Sequence, residues 1–207
     1  ALGHFIGDHA ILPDGLGFFV EVTRRMHPKL TEAVSWLSYE GRLRSIEKTK
    51  LNIVPGVESG LHPIELDHTG NSTHSPEEVE EVIRLVGKHI ADVGPEEIIV
   101  VAPYNNQVNA IRKALDQAGF NKVRVGTVDK FQGKEGMVVI VSLACSSADD
   151  APRGLDFLLD RNRLNVAISR GKSVCYLVFS KHLLSASFRS IEDVKSVSRL
   201  AGLTSFA

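Results

Sequence analysis

The stretch VRVGTVDKFQGKEGMVVIVSL, from Val123 to Leu143, decides the fold class of this chain. It has the pattern of two apolar strands joined by a turn, and the turn carries five polar or charged side chains: Asp129, Lys130, Gln132, Lys134 and Glu135. A plain surface turn needs only residues such as glycine, asparagine or aspartate. So many polar side chains between two buried strands indicate a functional site, although the alternative remains that their charges are simply solvated.

Similar strand patterns occur on both sides of this stretch, in alternation with helical patterns. The other predicted strands are HPIELDH, EEIIVVAP and SVCYLVFS, and the predicted helices are SPEEVEEVIRLVGKHI, NQVNAIRKALDQAG and DRNRLNVAISRG. Ser75 is expected to cap the first of these helices, with Glu78 completing a capping box. Continuous apolar strands that alternate with helices predict an α/β fold with a mostly parallel sheet and helices on both faces.

Ligands of such sheets bind beyond the carboxyl ends of the strands. The segments APYNNQ and TVDKFQGKE are expected to lie there, because each follows a predicted strand. PYNNQ offers an aromatic ring and three amides, and one of its asparagines could instead cap the following helix. The eight histidines are scattered without the spacing of metal ligands, so no metal site is predicted.

Composition and charge limit the possible functions. The 207 residues are 43% hydrophobic, which is typical of a soluble globular protein with one large domain or one domain and an appendage. The net charge of −1 gives no global basic field, so nucleic-acid binding would require a local patch or another part of the polypeptide. Cys145 and Cys175 lie in apolar runs and are expected to be reduced core residues. No apolar run is long enough for a membrane span, and we expect a cytoplasmic protein.

The chain begins abruptly with alanine, and we expect it to be one domain cut from a longer polypeptide. Residues 1–45 mix polar and apolar positions and are predicted to form a helical lead-in packed on the domain. Residues 46–207 are predicted to form the domain itself.

Two short segments with paired arginines are candidates for binding an anion. Arg163 and Arg170 in NRLNVAISRGK are seven residues apart, so a helix would hold both on the flank of its buried face. Two rigidly held guanidiniums suit phosphate oxygens, although surface arginines paired with carboxylates are the alternative. Arg24 and Arg25 lie in TRRMHP, which is a weak signal alone.

Four segments occur in the order TRRMHP, VVAPYNNQ, VGTVDKFQGKE and NRLNVAISRGK. In this order and separation they resemble the motifs of the second RecA-like domain of superfamily 1 helicases. The branch resembled contains the nonsense-mediated-decay RNA helicase and the Dna2-type nuclease-helicases. The resemblance extends from about Gly17 to Ser180, and it implies a RecA-like three-layer domain, similar to P-loop NTPases but without its own P-loop.

The resemblance implies a nucleotide-binding role for several residues. Arg170 looks like the arginine finger that reaches the γ-phosphate of ATP, and Arg25 looks like a second arginine on the transferred phosphate. Glu135 looks like the residue that binds the ribose. Gln132 and Gly133 are expected beside the phosphates, where they couple the nucleotide to the nucleic acid.

Further positions follow from the same resemblance. Arg24 stands where this branch often has an aromatic that stacks on adenine, and arginine can also stack on a base. Arg163 is expected to support the nucleotide cleft. Thr127, Tyr104 and Asn105 look like contacts to the nucleic-acid strand. The polar turn of the opening stretch would then join an ATP site to a nucleic-acid track.

The resemblance also implies partners: ATP with Mg²⁺, held mainly by a first RecA-like domain of the same polypeptide, and single-stranded DNA or RNA. No G-x-x-x-x-G-K-[ST] loop and no acidic Mg²⁺ motif of the first domain occur in this sequence. We therefore expect the chain alone to be inactive as an ATPase. The alternative is a degenerate helicase half that serves as a non-catalytic binding platform for nucleic acid or protein.

Overall fold

The computed structural model describes residues 17–131, 133–185 and 190–206. The strands in these ranges are β1 (Val22–Thr23), β2 (Arg44–Ser45), β3 (Gly60–Leu66), β4 (Ile98–Val101), β5 (Arg124–Gly126), β6 (Gly136–Ser142) and β7 (Gly171–Ser180). The helices are α1 (Pro28–Ser38), α2 (Pro76–Val93), α3 (Asn105–Gln117), α4 (Gly154–Leu158), α5 (Arg161–Ile168) and α6 (Ile191–Thr204).

Five strands form one parallel sheet in the order β3-β7-β6-β4-β5. Both faces of the sheet are buried, because successive side chains of a strand point to opposite faces. In β4, Ile98 and Val100 join a hydrophobic cluster with α2 and α3, whereas Ile99 and Val101 join a second cluster with α1, α5 and α6. The predicted α/β fold with three layers is confirmed.

The N-terminal segment is part of this architecture. In its described part, residues 17–45 contain α1 and the two short strands β1 and β2, which pair in parallel. Leu30 and Val34 of α1 are fully buried in the cluster that also contains the sheet residues Leu177 and Phe179. The helix therefore belongs to the main core, and the division of the chain at residue 45 stays a prediction.

The ends of two helices follow the sequence signals only in part. The Ser75 hydroxyl accepts from the Glu78 backbone N–H at 3.1 Å, as predicted. The prediction that the Glu78 side chain accepts from the Ser75 N–H is wrong. This N–H donates to Gln107 Oε1 at 2.9 Å, and the Glu78 side chain is buried in the core. Asp160 caps α5 by accepting from the Arg163 N–H at 2.8 Å.

Cys145 and Cys175 are both buried and free, as the sequence predicts. Burial raises the pKa of each thiol, that of Cys145 to about 12. Among the helices of the described ranges, none has the length and apolar character that crossing a membrane would require.

A close backbone approach at the start of β6 gives a first testable prediction. A Cβ added at Gly136 would lie 2.7 Å from the carbonyl oxygen of Glu97, the residue before the neighbouring strand β4. Backbone atoms cannot move aside cheaply, so Gly136→Ala is expected to lower the free energy of unfolding by about 2 kcal/mol. Chemical denaturation followed by circular dichroism measures this change.

Gly87 provides the matched control. It lies on the exposed side of α2, where an added Cβ would meet only Phe120 at 3.8 Å. Since alanine is favoured over glycine inside a helix, Gly87→Ala is expected to raise stability by about 0.5 kcal/mol or more. Equal stability of the Gly136→Ala variant and the wild type would contradict the close approach at β6.

Candidate functional site

An open cleft of about 560 Å³ lies where β6 and β7 begin. It is walled by the end of β1, the residues before α1, the residue before β6 and the C-terminal part of α5. The lining residues are Val22, Thr23, Arg24, Arg25, Met26, Val34, Tyr39, Leu43, Glu135, Asn165, Val166, Ser169 and Arg170. The structure thus brings together four of the residues predicted to bind nucleotide: Arg24, Arg25, Glu135 and Arg170.

Arg25 is held in the cleft from two sides. Its Nε donates to Glu135 Oε2 at 2.7 Å and its Nη1 donates to the Ser169 carbonyl at 2.9 Å. The side chains of Arg25 and Glu135 are 32% and 46% exposed, so solvent screens their ion pair and a ligand can open it at low cost. The backbone beside Arg25 is also fixed, since the His27 N–H donates to the Lys172 carbonyl at 2.7 Å at the start of β7.

Arg170 follows the C-terminal end of α5, and its guanidinium is bound by carbonyl oxygens. Nε donates to Val166 at 3.1 Å, and Nη1 donates to Phe131 at 3.1 Å and to Lys134 at 3.3 Å. Burial lowers the pKa of Arg170, the charge of Arg25 lowers it further, and Glu135 opposes both. Two guanidiniums with one carboxylate between them leave net positive charge in the cleft, and such a charge attracts phosphate.

The expectation that the whole TVDKFQGKE segment lies beyond the carboxyl ends of the strands is wrong. The TVDKFQGKE segment begins at the carboxyl end of β5 but ends at the amino end of β6, because both strands run parallel to β4. A short turn at residues 128–131 crosses the face of the sheet, and Phe131 is buried there in the core. Thr127 and Glu135 therefore lie at opposite edges of the sheet, and the cleft is at the amino edge.

Other predicted nucleotide residues have different surroundings. Arg24 is exposed at the cleft, and Gly133 is exposed with a φ of 79°, a backbone conformation that favours glycine. Gln132 lies outside the described residues. Arg163 does not line the cleft, since its guanidinium lies over the ring of Phe157, 4.3 Å from the ring centroid.

The residues predicted to contact nucleic acid lie at the carboxyl edge. Thr127 follows β5 and is half-buried, whereas Asn105 begins α3 and is exposed. Tyr104 is only 8% exposed, and its ring centroid lies 5.8 Å from that of Phe157. Burial raises the pKa of Tyr104 to about 12, so the hydroxyl stays neutral. Tyr104 therefore supports this edge from below, and Asn105 is the more accessible of the two.

Asn165 and Tyr39 are further polar residues of the cleft wall that were not predicted. Asn165 Nδ2 donates to the Tyr39 hydroxyl at 3.1 Å, and Asn165 Oδ1 is buried without a hydrogen-bond partner among the described residues. Asn165 stands within NRLNVAISRGK and could have been found there, but no local pattern marks Tyr39. In the described ranges, no group of three or more His, Cys, Asp or Glu side chains could hold a metal ion.

A protein-family model described as "AAA domain" matches residues 17–182. The Regulator of nonsense transcripts 1 of Caenorhabditis elegans is 32% identical over 190 residues, which cover 81% of this chain and 17% of that protein. The DNA replication ATP-dependent helicase/nuclease DNA2 of Gallus gallus is 29% identical over 160 residues, which cover 76% of this chain and 16% of that protein. The 3'-5' exoribonuclease HELZ2 of Mus musculus is 36% identical over 143 residues, which cover 63% of this chain and 5% of that protein.

The family model matches well over half of the chain, so the chain belongs to this AAA domain family, the C-terminal region of superfamily 1 helicases. It is a superfamily 1 helicase domain. The chain spans less than a fifth of the length of each of these three relatives.

Proposed function

We propose that the chain is the C-terminal motor domain of an ATP-dependent superfamily 1 nucleic-acid helicase. It supplies the arginine side of an ATP site that closes against a first RecA-like domain. The observation that carries the proposal is the pair of guanidiniums of Arg25 and Arg170 at one open cleft, where Glu135 is the only carboxylate among the described lining residues. This donor set fits a triphosphate, whose oxygens carry several negative charges.

Each residue has a distinct task in this proposal. ATP supplies the γ-phosphoryl group that is transferred to water. Arg170, whose Nε and Nη1 are held by backbone carbonyls, donates from Nη2 to the γ-phosphate oxygens and stabilises the charge of the transition state. Arg25 contacts the same phosphate. Mg²⁺ would be held mainly by the first RecA-like domain and would neutralise charge on the phosphates.

Glu135 combines two roles. Its Oε2 accepts from Arg25 and so orients that guanidinium, while the exposed carboxylate keeps acceptor capacity for a ribose hydroxyl. Arg24 is free to approach the base from the exposed rim of the cleft.

Placing the arginines on a different domain from the phosphate loop makes hydrolysis depend on domain closure. Closure is then a two-state element that bound ATP favours. Thr127 and Asn105, at the opposite edge of the sheet, contact single-stranded DNA or RNA. The TVDKFQGKE segment runs between the two edges and can transmit the movement.

The test is to titrate the 207-residue chain with ATP in a calorimeter. We expect no binding with a Kd below about 100 µM and no hydrolysis, because half of the site is on another domain. A polypeptide that joins this chain to a first RecA-like domain is expected to bind ATP and to hydrolyse it faster with nucleic acid present. Micromolar ATP binding by the chain alone would contradict the half-site. A joined polypeptide without ATPase activity would favour the binding platform instead.

A further inference from the structure

The guanidinium groups of two arginines contact the ring of Phe157 in α4. The guanidinium carbon of Arg153 is 3.6 Å from the centroid of the Phe157 ring, and that of Arg163 is 4.3 Å from it. Arg153 is exposed, and Phe157 and Arg163 are half-buried. We call Arg153, Phe157 and Arg163 the arginine–phenylalanine cluster. The contact of each guanidinium with the ring fixes the orientation of a side chain that would otherwise be mobile.

Within the part of the chain that the structure describes, no ion pair compensates the two charges of the cluster. Neither guanidinium has a carboxylate within ion-pair distance or a side-chain hydrogen bond among residues 17–131, 133–185 and 190–206. A guanidinium in contact with the face of a ring still has N–H groups available for acceptors. Two such groups against one ring repel each other, so an anion that binds both relieves the repulsion.

The cluster lies at the carboxyl edge of the sheet, beside the proposed nucleic-acid contacts. Phe157 and Arg163 line a small apolar cavity together with Pro103, which follows β4, and Val128, which follows Thr127. The ring of Tyr104 packs against Phe157 from the protein interior. The cluster is therefore continuous with the edge at which Asn105 and Thr127 are exposed or half-exposed.

Resting on the proposed function, we propose that the arginine–phenylalanine cluster binds the backbone phosphates of the single-stranded nucleic acid. Arg153 and Arg163 donate to phosphate oxygens, and Phe157 is a positioning residue that holds both guanidiniums. Contacts of this kind are independent of base sequence and depend strongly on salt. The nucleic acid is favoured over an acidic protein because the cluster adjoins Thr127 and Asn105 at the same edge.

In this proposal the ligand of Arg163 is the nucleic acid, whereas the sequence predicted that Arg163 supports the nucleotide cleft. Arg163 lies in the first turn of α5, and Arg170 follows the last turn of the same helix. One short helix thus carries an arginine toward each edge of the sheet. A shift of α5 along its axis would move both contacts together.

The test is the affinity of the 207-residue chain for fluorescein-labelled oligothymidine and oligouridine, measured by fluorescence anisotropy at several salt concentrations. The double variant Arg153→Ala/Arg163→Ala is expected to bind about tenfold more weakly. The negative slope of log affinity against log salt concentration is expected to become shallower by about 1.4, because two phosphate contacts are lost. The control Arg84→Ala/Lys88→Ala removes two positive charges from the exposed side of α2 and is expected to retain the affinity of the wild type.

The role of the ring has its own readout. Phe157→Tyr keeps the aromatic face and is expected to bind like the wild type, whereas Phe157→Leu keeps the bulk but weakens binding about threefold. Thermal unfolding of each variant shows that the fold is intact.

The inference would be overturned by equal affinity of the double variant and the wild type, by an equal loss in the control, or by the absence of oligonucleotide binding by the wild type. A polyglutamate peptide that binds the wild type more tightly than the oligonucleotides would overturn it too, and would assign the cluster to an acidic protein partner. None of these measurements involves ATP, so they are independent of the arginine half-site and of its calorimetric test.

Discussion

Replacement of Arg170 by alanine in the joined two-domain polypeptide is expected to lower nucleic-acid-stimulated ATPase activity by about 10³-fold or more. The physical reason is that phosphoryl transfer is catalysed mainly by positioning and charge stabilisation, and an alanine offers neither. Steady-state kinetics at saturating nucleic acid measure the effect. Because Arg170 acts on the transition state, we expect the loss in kcat rather than in KM.

Two further variants sharpen this experiment. Arg170→Lys keeps a positive charge but cannot reproduce the forked donation to Val166, Phe131 and Lys134, so it is also expected to lose most activity. Arg84→Ala removes an exposed arginine whose partner is Glu81 on the same helix, and it is expected to be neutral. ATPase activity of Arg170→Ala within tenfold of the wild type would show that Arg170 is not the arginine finger.

Replacement of Glu78 by alanine is expected to lower the free energy of unfolding by about 3 kcal/mol or more. Glu78 is fully buried, and its Oε2 accepts from the Ser142 hydroxyl at 2.6 Å and from the Ala144 N–H at 2.9 Å. Its Oε1 lies 3.2 Å from His68 Nε2, and His68 is buried as well. Alanine would leave these polar groups in the core without their partner. Urea denaturation measures the loss.

Glu80 is the matched control, because it lies on the same helix and is exposed. Glu80→Ala is expected to change stability by about 0.5 kcal/mol or less. Glu78→Gln keeps the size of the side chain but turns an amide N–H₂ toward donors, so an intermediate loss is expected. A loss below about 1 kcal/mol in Glu78→Ala would mean that water or a rearranged side chain replaces the carboxylate.

The Glu78 network has a functional position. Gln107 joins it through Nε2, which donates to the Ser142 hydroxyl at 2.9 Å, and through Oε1, which accepts from the Ser75 N–H. The network therefore ties the carboxyl end of β6 to the first turns of α2 and α3. Asn105 and the other proposed nucleic-acid contacts lie at this edge, so the network gives them a rigid base.

Local patterns predicted most of the fold. Apolar runs such as that of β6 and the stripe of α2 predicted the element types, since burial on both faces of a parallel sheet leaves a continuous apolar strand. The order of the four arginine, amide and loop motifs predicted the family. Glu78 shows where such patterns fail: the spacing from Ser75 fits a capping box, but a buried His68 and Ser142 compete for the same carboxylate.

The sequence by itself determined the α/β class and predicted four residues that line the candidate cleft, among them two arginines suited to phosphate. Only the tertiary structure decided the edge of the sheet at which each residue lies. Arg163 and Arg170 belong to one motif, yet one lies over Phe157 and the other lines the cleft with Arg25. Thr127 and Glu135 are separated in the same way by the crossing from β5 to β6. The physical reason is that periodicity reports burial along one element, whereas the partners of a charge depend on strand order and on contacts between residues far apart in the chain.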